Sequence, residues 1–227
     1  YSLSARWAGP DYAERYEDSA WYDATVDFPL HNRIRADLAF RRYERNLDKL
    51  TDRGAANRDD LYSVGLSLRL PNAWHSRLGY EYFESEDRSS SHSHEIYRHG
   101  LRASLGHTYN NFSWNTGISH YWNVDEIHNN RYKNWNLNLR GTYRASRRIY
   151  LSVFGNTGET ESSGNNRIIL SKRHNFGGTV RWQPTTSLSM DAHYTRRLNR
   201  YPDQPLRERR EDDQYGASLS WQFYNGS

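Results

Sequence analysis

Tyr62-Ser-Val-Gly-Leu-Ser-Leu-Arg-Leu70 alternates without a break: Tyr62, Val64, Leu66, Leu68 and Leu70 fall on one side, and Ser63, Gly65, Ser67 and Arg69 on the other. Successive side chains of a strand point to opposite faces, so this stretch predicts a β-strand with one apolar and one polar face. The same period returns along the whole chain. Phe112, Trp114, Thr116, Ile118, His120 and Trp122 keep it, as do Ile34, Ala36, Leu38 and Phe40, and Tyr215, Ala217, Leu219, Trp221 and Phe223. Twelve such runs are legible between Tyr1 and Phe223, which predicts twelve strands in one domain over residues 1–227.

Two architectures bury an apolar strand face. In a soluble sandwich the apolar faces of two sheets meet. In a membrane barrel they meet lipid, and aromatic side chains gather where lipid gives way to water. Composition argues for the second. Only 35% of the 227 residues are hydrophobic, too few for an ordinary core, yet the chain carries 8 Trp, 18 Tyr and 7 Phe. That aromatic content also excludes disorder, despite a mean hydropathy of −1.07. Trp and Tyr sit near the ends of the apolar faces. No apolar run approaches the roughly 20 residues of a membrane helix.

Connector lengths point the same way. Short connectors at 29–32, 71–76, 108–111, 144–147 and 183–187 alternate with long polar ones at 9–20, 44–60, 84–95, 123–133, 157–171 and 196–213. An up-and-down barrel with short turns on one rim and long loops on the other gives this alternation, whereas Greek-key crossovers scramble it. The expectation is an all-β, transmembrane, antiparallel up-and-down barrel of twelve strands. An even strand number places both ends on the short-turn rim, which faces the periplasm in the bacterial outer membrane, and sends the long loops outside. No signal-peptide pattern opens the chain at Tyr1, so any leader is expected to have been removed or never present. The absence of Cys excludes disulfides and fits an envelope protein.

The charged residues give the interior its chemistry. Among 31 basic residues lysine stands only at 49, 133 and 172, so arginine carries almost all the positive charge. A net charge of +4 and a pI of 9.2, with 27 acids interspersed, give no nucleic-acid footprint. The polar register holds Arg6, Arg33, Arg35, Arg41, Arg69, Arg77, Arg98, Arg102, Arg140, Arg148, Arg173 and Arg181, against Asp23, Asp27, Asp37, Glu81 and Asp191. Inside a narrow low-dielectric wall such an excess concentrates anions, and the guanidinium fork matches a carboxylate. Trp21, Tyr121, Tyr150 and Phe154, in the same register, offer flat surfaces for sugar rings. Part of the arginine set is expected to pair with the inward acids, Asp27 with Arg33 or Arg35 across a short turn. Arg35, Arg102, Arg140 and Arg181 are the candidates for a mid-barrel constriction, with Arg98 and Arg173 nearer the outer mouth.

Other chemistries find little support. His99 and His120 share the outward register, where a lipid-modifying enzyme would need them, but Tyr97, Ile118 and Trp122 surround them and no Ser joins them. His92 and His94 form a His-x-His without a third fixed ligand. Glu84, Glu86 and Asp87 lie in a loop without an apolar pocket to raise a pKa. No phosphate-cradling loop, nucleophile elbow or cofactor motif is present.

With a short aromatic first strand and a charged, Tyr-containing loop (Asp11-Tyr-Ala-Glu-Arg-Tyr-Glu-Asp18), the chain resembles the oligogalacturonate-specific porin family, which includes sialic-acid channels. The resemblance implies monomeric twelve-stranded channels for acidic sugars with arginine-lined lumens. The last strand, Tyr215-Gly-Ala-Ser-Leu-Ser-Trp-Gln-Phe223, looks like the signal read by the barrel-assembly machinery, although Tyr224 to Ser227 follow it. Expected partners are outer-membrane lipid and lipopolysaccharide, that machinery, and anionic oligosaccharides or small anions. The expected function is an anion-selective outer-membrane channel, not an enzyme. The alternatives are the C-terminal translocation barrel of a larger polysaccharide-export protein and a lipid-modifying enzyme.

Overall fold

The computed structural model describes residues 2–8, 19–45, 56–89, 94–163, 167–203 and 209–221. They form twelve strands: β1 (Ser2–Ala8), β2 (Ser19–His31), β3 (Ile34–Arg45), β4 (Asn57–Arg69), β5 (Trp74–Asp87), β6 (Glu95–Tyr109), β7 (Phe112–Asp125), β8 (Asn130–Arg144), β9 (Ile149–Ser163), β10 (Arg167–Trp182), β11 (Leu188–Arg200) and β12 (Arg210–Trp221). All lie in one sheet in sequence order, each antiparallel to the next. The expected up-and-down topology is therefore what the chain adopts. No second sheet packs on the first among the described residues, which removes the sandwich. Their buried hydrophobic side chains are three alanines, Ala20, Ala36 and Ala56. A soluble fold of this size would enclose far more apolar volume.

Leucines and isoleucines instead stand on the apolar face with nothing over them: Leu78 is 51% exposed, Ile118 51% and Leu139 52%. Aromatic rows bound this belt. Toward the long loops Phe40, Tyr62, Tyr82 and Tyr97 follow one another at centroid distances of 5.0, 6.2 and 6.4 Å. Toward the short turns Trp74 packs on His107 at 4.3 Å and edge-on to Trp114 at 5.5 Å. Amphipathic rings on both sides of an aliphatic band mark the two interfaces of a bilayer. Among the described residues no helix is long and apolar enough to cross a membrane.

The short turns occur where expected. Asn72, Ala73 and Asn110 take positive φ angles of 57°, 60° and 51°, a region that asparagine tolerates better than most residues. The long connectors differ from the sequence reading. Strands β7 and β8 continue to Asp125 and from Asn130, so the connector expected over 123–133 shrinks to a turn at 126–129 with Asn129 at φ 49°. Likewise β9 and β10 reach Ser163 and Arg167, well inside the connector expected over 157–171. Beyond the aliphatic belt both faces become polar, so pairing continues where apolar alternation has stopped. Strict alternation of short and long connectors therefore fails at these two hairpins.

No β1–β12 pairing is present, so among the described residues the sheet is not closed and β1 and β12 are its edges. The loop Asp11–Asp18, His92, the side chain of Arg6 and residues 222–227 lie outside the described residues.

Candidate functional site: the polar face of the wall

Registry brings the inward residues of neighbouring strands side by side. On β5, β6 and β7, Glu81 stands opposite Gly100, which stands opposite Tyr121. Because Gly100 has no side chain, Glu81 and Tyr121 close over it; a Cβ there would lie 2.7 Å from both Glu81 Cγ and the Tyr121 ring. Arg102 reaches across the gap, with Nη2 2.6 Å from Glu81 Oε2 and Nε donating to Tyr121 Oη at 2.7 Å. Arg98 approaches Glu81 Oε1 to 3.3 Å and lies 4.7 Å over the Phe83 ring and 5.5 Å over Tyr121. The Glu81 carboxylate is thus buried under two guanidiniums, both lying over the Tyr121 ring and Arg98 also over Phe83. The cluster edges a cavity of ≈ 650 Å³ that also takes in Asp37, Arg77, Asn115, Ser119 and Asn138. A second cavity, of ≈ 380 Å³ toward the short turns, is lined by Asp27, Arg33, Arg35, Asp37, Arg69 and Arg77.

Each inward acid read from the sequence has an arginine. Asp23 accepts from Arg41 at 2.7 Å, Asp37 from Arg77 at 2.7 Å, and Asp191 from Arg181 at 2.7 Å. Asp27 takes Arg35, as two parallel bonds of 3.2 and 3.1 Å, and leaves Arg33.

The six arginines singled out in the sequence separate by position and by partner. Arg102 lies near the middle of β6, as expected, and Arg98 lies nearer the long-loop end of that strand. Arg35 and Arg181 do not belong at mid-barrel. Arg35 is the second residue of β3 and Arg181 the last but one of β10, so both sit against short turns, each tied to an aspartate. Arg173 lies near the middle of β10, not at the outer mouth, because that strand begins earlier than its apolar pattern shows. Arg140 and Arg173 are exposed, and neither has an ion pair among the described residues.

Several inward groups were missed. Arg197 on β11 and Asp59 on β4 fell inside expected loops, where the apolar signal had ended. Asp59 accepts a 2.5 Å bond from Ser85, which also lies 3.3 Å from His94 Nε2. The asparagines of β8 to β10 carry no motif, and the β9–β10 register, shifted between Ile169 and Ser171, is not set by a short turn.

On the opposite face His99 and His120 are outward as expected. His99 Nδ1 is 2.8 Å from the Tyr80 hydroxyl and His120 packs on Trp122 at 4.2 Å, with no serine beside them. Above the aromatic row, Asp60 is 1% exposed and held by Arg42 and Arg58. Burial pushes the Asp60 carboxyl up, but hydrogen bonds from these two guanidiniums outweigh it and hold the group below the usual carboxylate range. No cluster of three metal-ligating side chains occurs among the described residues.

No protein-family model matches the chain, and no curated protein matches it in sequence. Solved structures do match in shape. The siderophore receptor PirA of Pseudomonas aeruginosa superposes with a TM-score of 0.65 at 11% identity, covering 92% of this chain and 40% of the receptor. The alcaligin outer-membrane receptor FauA of Bordetella pertussis gives 0.58 at 15% identity, covering 92% and 41%. OmpT, an outer-membrane protein of Vibrio cholerae, gives 0.58 at 7% identity, covering 96% and 74%. The chain thus spans about two fifths of the length of the two receptors. The order of strands, the aliphatic belt between aromatic rows and these superpositions agree: the chain has the fold of bacterial outer-membrane β-barrel proteins.

Proposed function

We propose that this chain forms the wall of a passive outer-membrane channel for anionic solutes, with acidic oligosaccharides as the favoured class. The observation that carries the reading is the charge balance of the polar face. Each of the five inward acids read from the sequence is already held by an arginine, and Arg140 and Arg173 remain exposed without an acidic partner among the described residues. A wall of this kind concentrates anions and repels cations. The likeness to the oligogalacturonate-specific porins supports the choice of solute, since a carboxylated sugar offers the guanidinium fork its planar partner. Outer-membrane lipid on the aliphatic belt and the barrel-assembly machinery at the last strand are the partners this reading requires.

Single-channel recording in a planar bilayer across a salt gradient tests it. The expected reversal potential has the sign of anion preference, and Arg102→Glu with Arg140→Glu moves it toward zero while the barrel still assembles. Cation preference in the unaltered protein refutes the reading.

A second reading takes the chain as part of a larger translocation barrel, such as that of a polysaccharide exporter. It draws on the open edges of β1 and β12 and on the superposition with two fifths of a longer receptor. Cross-linking of those edges separates the two.

A further inference from the structure

Strands β8, β9 and β10 place Asn138, Asn156 and Asn175 directly opposite one another on the polar face. Neighbouring strands stand about 4.8 Å apart, so the three amides form a row of regular steps across the wall. Asparagine is poorly suited to strands, and three in register on one face work against local preference. They do not repay it by bonding within the wall. Asn138 and Asn156 have no side-chain hydrogen bond among the described residues, and Asn175 Oδ1 is buried with no partner there. A buried amide oxygen left unpaired is costly unless something else donates to it.

Glycines beside the row let its side chains and their neighbours lie close against the backbone. Asn138 stands opposite Gly117 on β7, where a Cβ would lie 3.1 Å from its amide nitrogen. The Phe154 ring lies over Gly177, where a Cβ would come within 2.9 Å of it. Arg140, next inward residue to Asn138 on β8, and Arg173, next to Asn175 on β10, flank the row from opposite sides, and Arg197 on β11 stands directly opposite Asn175. Arg140 and Arg173 are the two candidate arginines that no wall acid has claimed. The arginines near Glu81, by contrast, are already engaged.

We propose that this amide row is a saccharide-binding track, in which Asn138, Asn156 and Asn175 exchange hydrogen bonds with sugar hydroxyls, Phe154 underlies a ring, and Arg140 and Arg173 take its carboxylates. An amide both donates and accepts, which matches the hydroxyls of a sugar and not a bare anion. Apolar ring faces and a few convergent polar groups are what such a site needs. The track deepens the channel reading and rests on it: the arginines supply attraction for any anion, while the amides select a polyhydroxylated one.

The experiment measures binding to the full chain folded in detergent micelles, by calorimetry, with three probes: trigalacturonate, maltotriose and tricarballylate. Unaltered protein binds trigalacturonate more tightly than either of the others. Asn138→Ala, Asn156→Ala and Asn175→Ala together weaken both sugars by about tenfold or more, a loss on the scale of one or two net hydrogen bonds, and leave tricarballylate unchanged. Arg140→Gln with Arg173→Gln does the reverse, weakening both carboxylated probes and sparing maltotriose. Heat-modifiable migration on gels confirms folding, and single Asn156→Ser and Asn138→Ser variants replace the triple variant if it does not assemble. Sugar binding unchanged in the asparagine variants overturns the track, as does equal affinity of the unaltered protein for trigalacturonate and tricarballylate. Reversal potentials report the channel reading separately, because the asparagine variants carry the same charge as the unaltered protein.

Discussion

Arg102 binds Glu81 and Tyr121 with one guanidinium, its Nη2 2.6 Å from the carboxylate and its Nε 2.7 Å from the phenol oxygen, and so ties three strands together on the polar face. Glu81 neutralises part of the wall's charge beside Arg98 and Arg102. Glu81→Gln is therefore expected to strengthen anion preference, moving the reversal potential further from zero in the anion direction. The pair is partly exposed on the arginine side, so the loss of folding stability is modest, about 1 kcal/mol. Reversal potential and urea midpoint in micelles measure the two effects, and a shift toward cations removes Glu81 from the charge balance.

Gly100 is the position that permits this cluster. A Cβ at that site meets Glu81 and Tyr121 at 2.7 Å, and both neighbours are held by Arg102. Gly100→Val forces them apart and costs roughly 1–3 kcal/mol, the usual range for overpacking. The urea midpoint should fall and the two arginines should become more accessible to arginine-specific reagents. Gly155 makes the comparison, because a Cβ there meets nothing within 4 Å and Gly155→Val is expected to change little.

The strands and their faces were legible in the sequence because lipid demands a strict period of two. Tyr62 to Leu70 states it outright, and β4 occupies that stretch. Pairings between neighbours across short turns were legible too: Asp27 takes Arg35, one of the two arginines a turn away. Above the belt the signal fades, since water accepts polar residues on either face. The 126–129 turn therefore read as a long loop, and Arg173 read as lying nearer the mouth than it does. The alignment of Asn138, Asn156 and Asn175 depends on two registers at once, β8 with β9 and β9 with β10, which no local pattern encodes.

The rim of β3 to β5 should be sensitive to acid. Hydrogen bonds and charge from Arg42 and Arg58 outweigh burial and hold the Asp60 carboxyl below its ordinary value of 3.8. The folded chain therefore binds this proton less readily than the unfolded chain does. The stability gained is complete above about pH 3.8, the unfolded value, and disappears as pH falls through the lowered folded value. Hydrogen exchange at Arg42, Arg58 and Asp60 should stay slow from neutral pH down to that point and then quicken beyond the intrinsic pH trend. Asp60→Asn leaves two guanidiniums facing each other without the carboxylate, so its rim should exchange fast at pH 7 as well. A rim indifferent to both changes means that the ion pairs contribute nothing there.

The open edges give the last test. A bilayer does not tolerate the free edge of a sheet, since every unpaired N–H and C=O there costs several kcal/mol. Strands β1 and β12 run antiparallel to each other and end on the same rim, and Leu3 and Leu219 share the outward register, so edge-to-edge closure meets no topological obstacle. Leu3→Cys is combined in turn with Ala217→Cys, Leu219→Cys and Trp221→Cys, each pair in one chain inserted in a membrane. One pairing should bring the Cβ atoms to the roughly 3.5–4.5 Å that a disulfide requires and form an intrachain bond on oxidation. Mixing chains that carry one cysteine each should give no dimer. Failure of all three intrachain bonds in folded protein rules out closure by these edges and favours the larger barrel, in which further strands lie between β12 and β1. Dimers from the mixed chains assign the missing strands to a second copy.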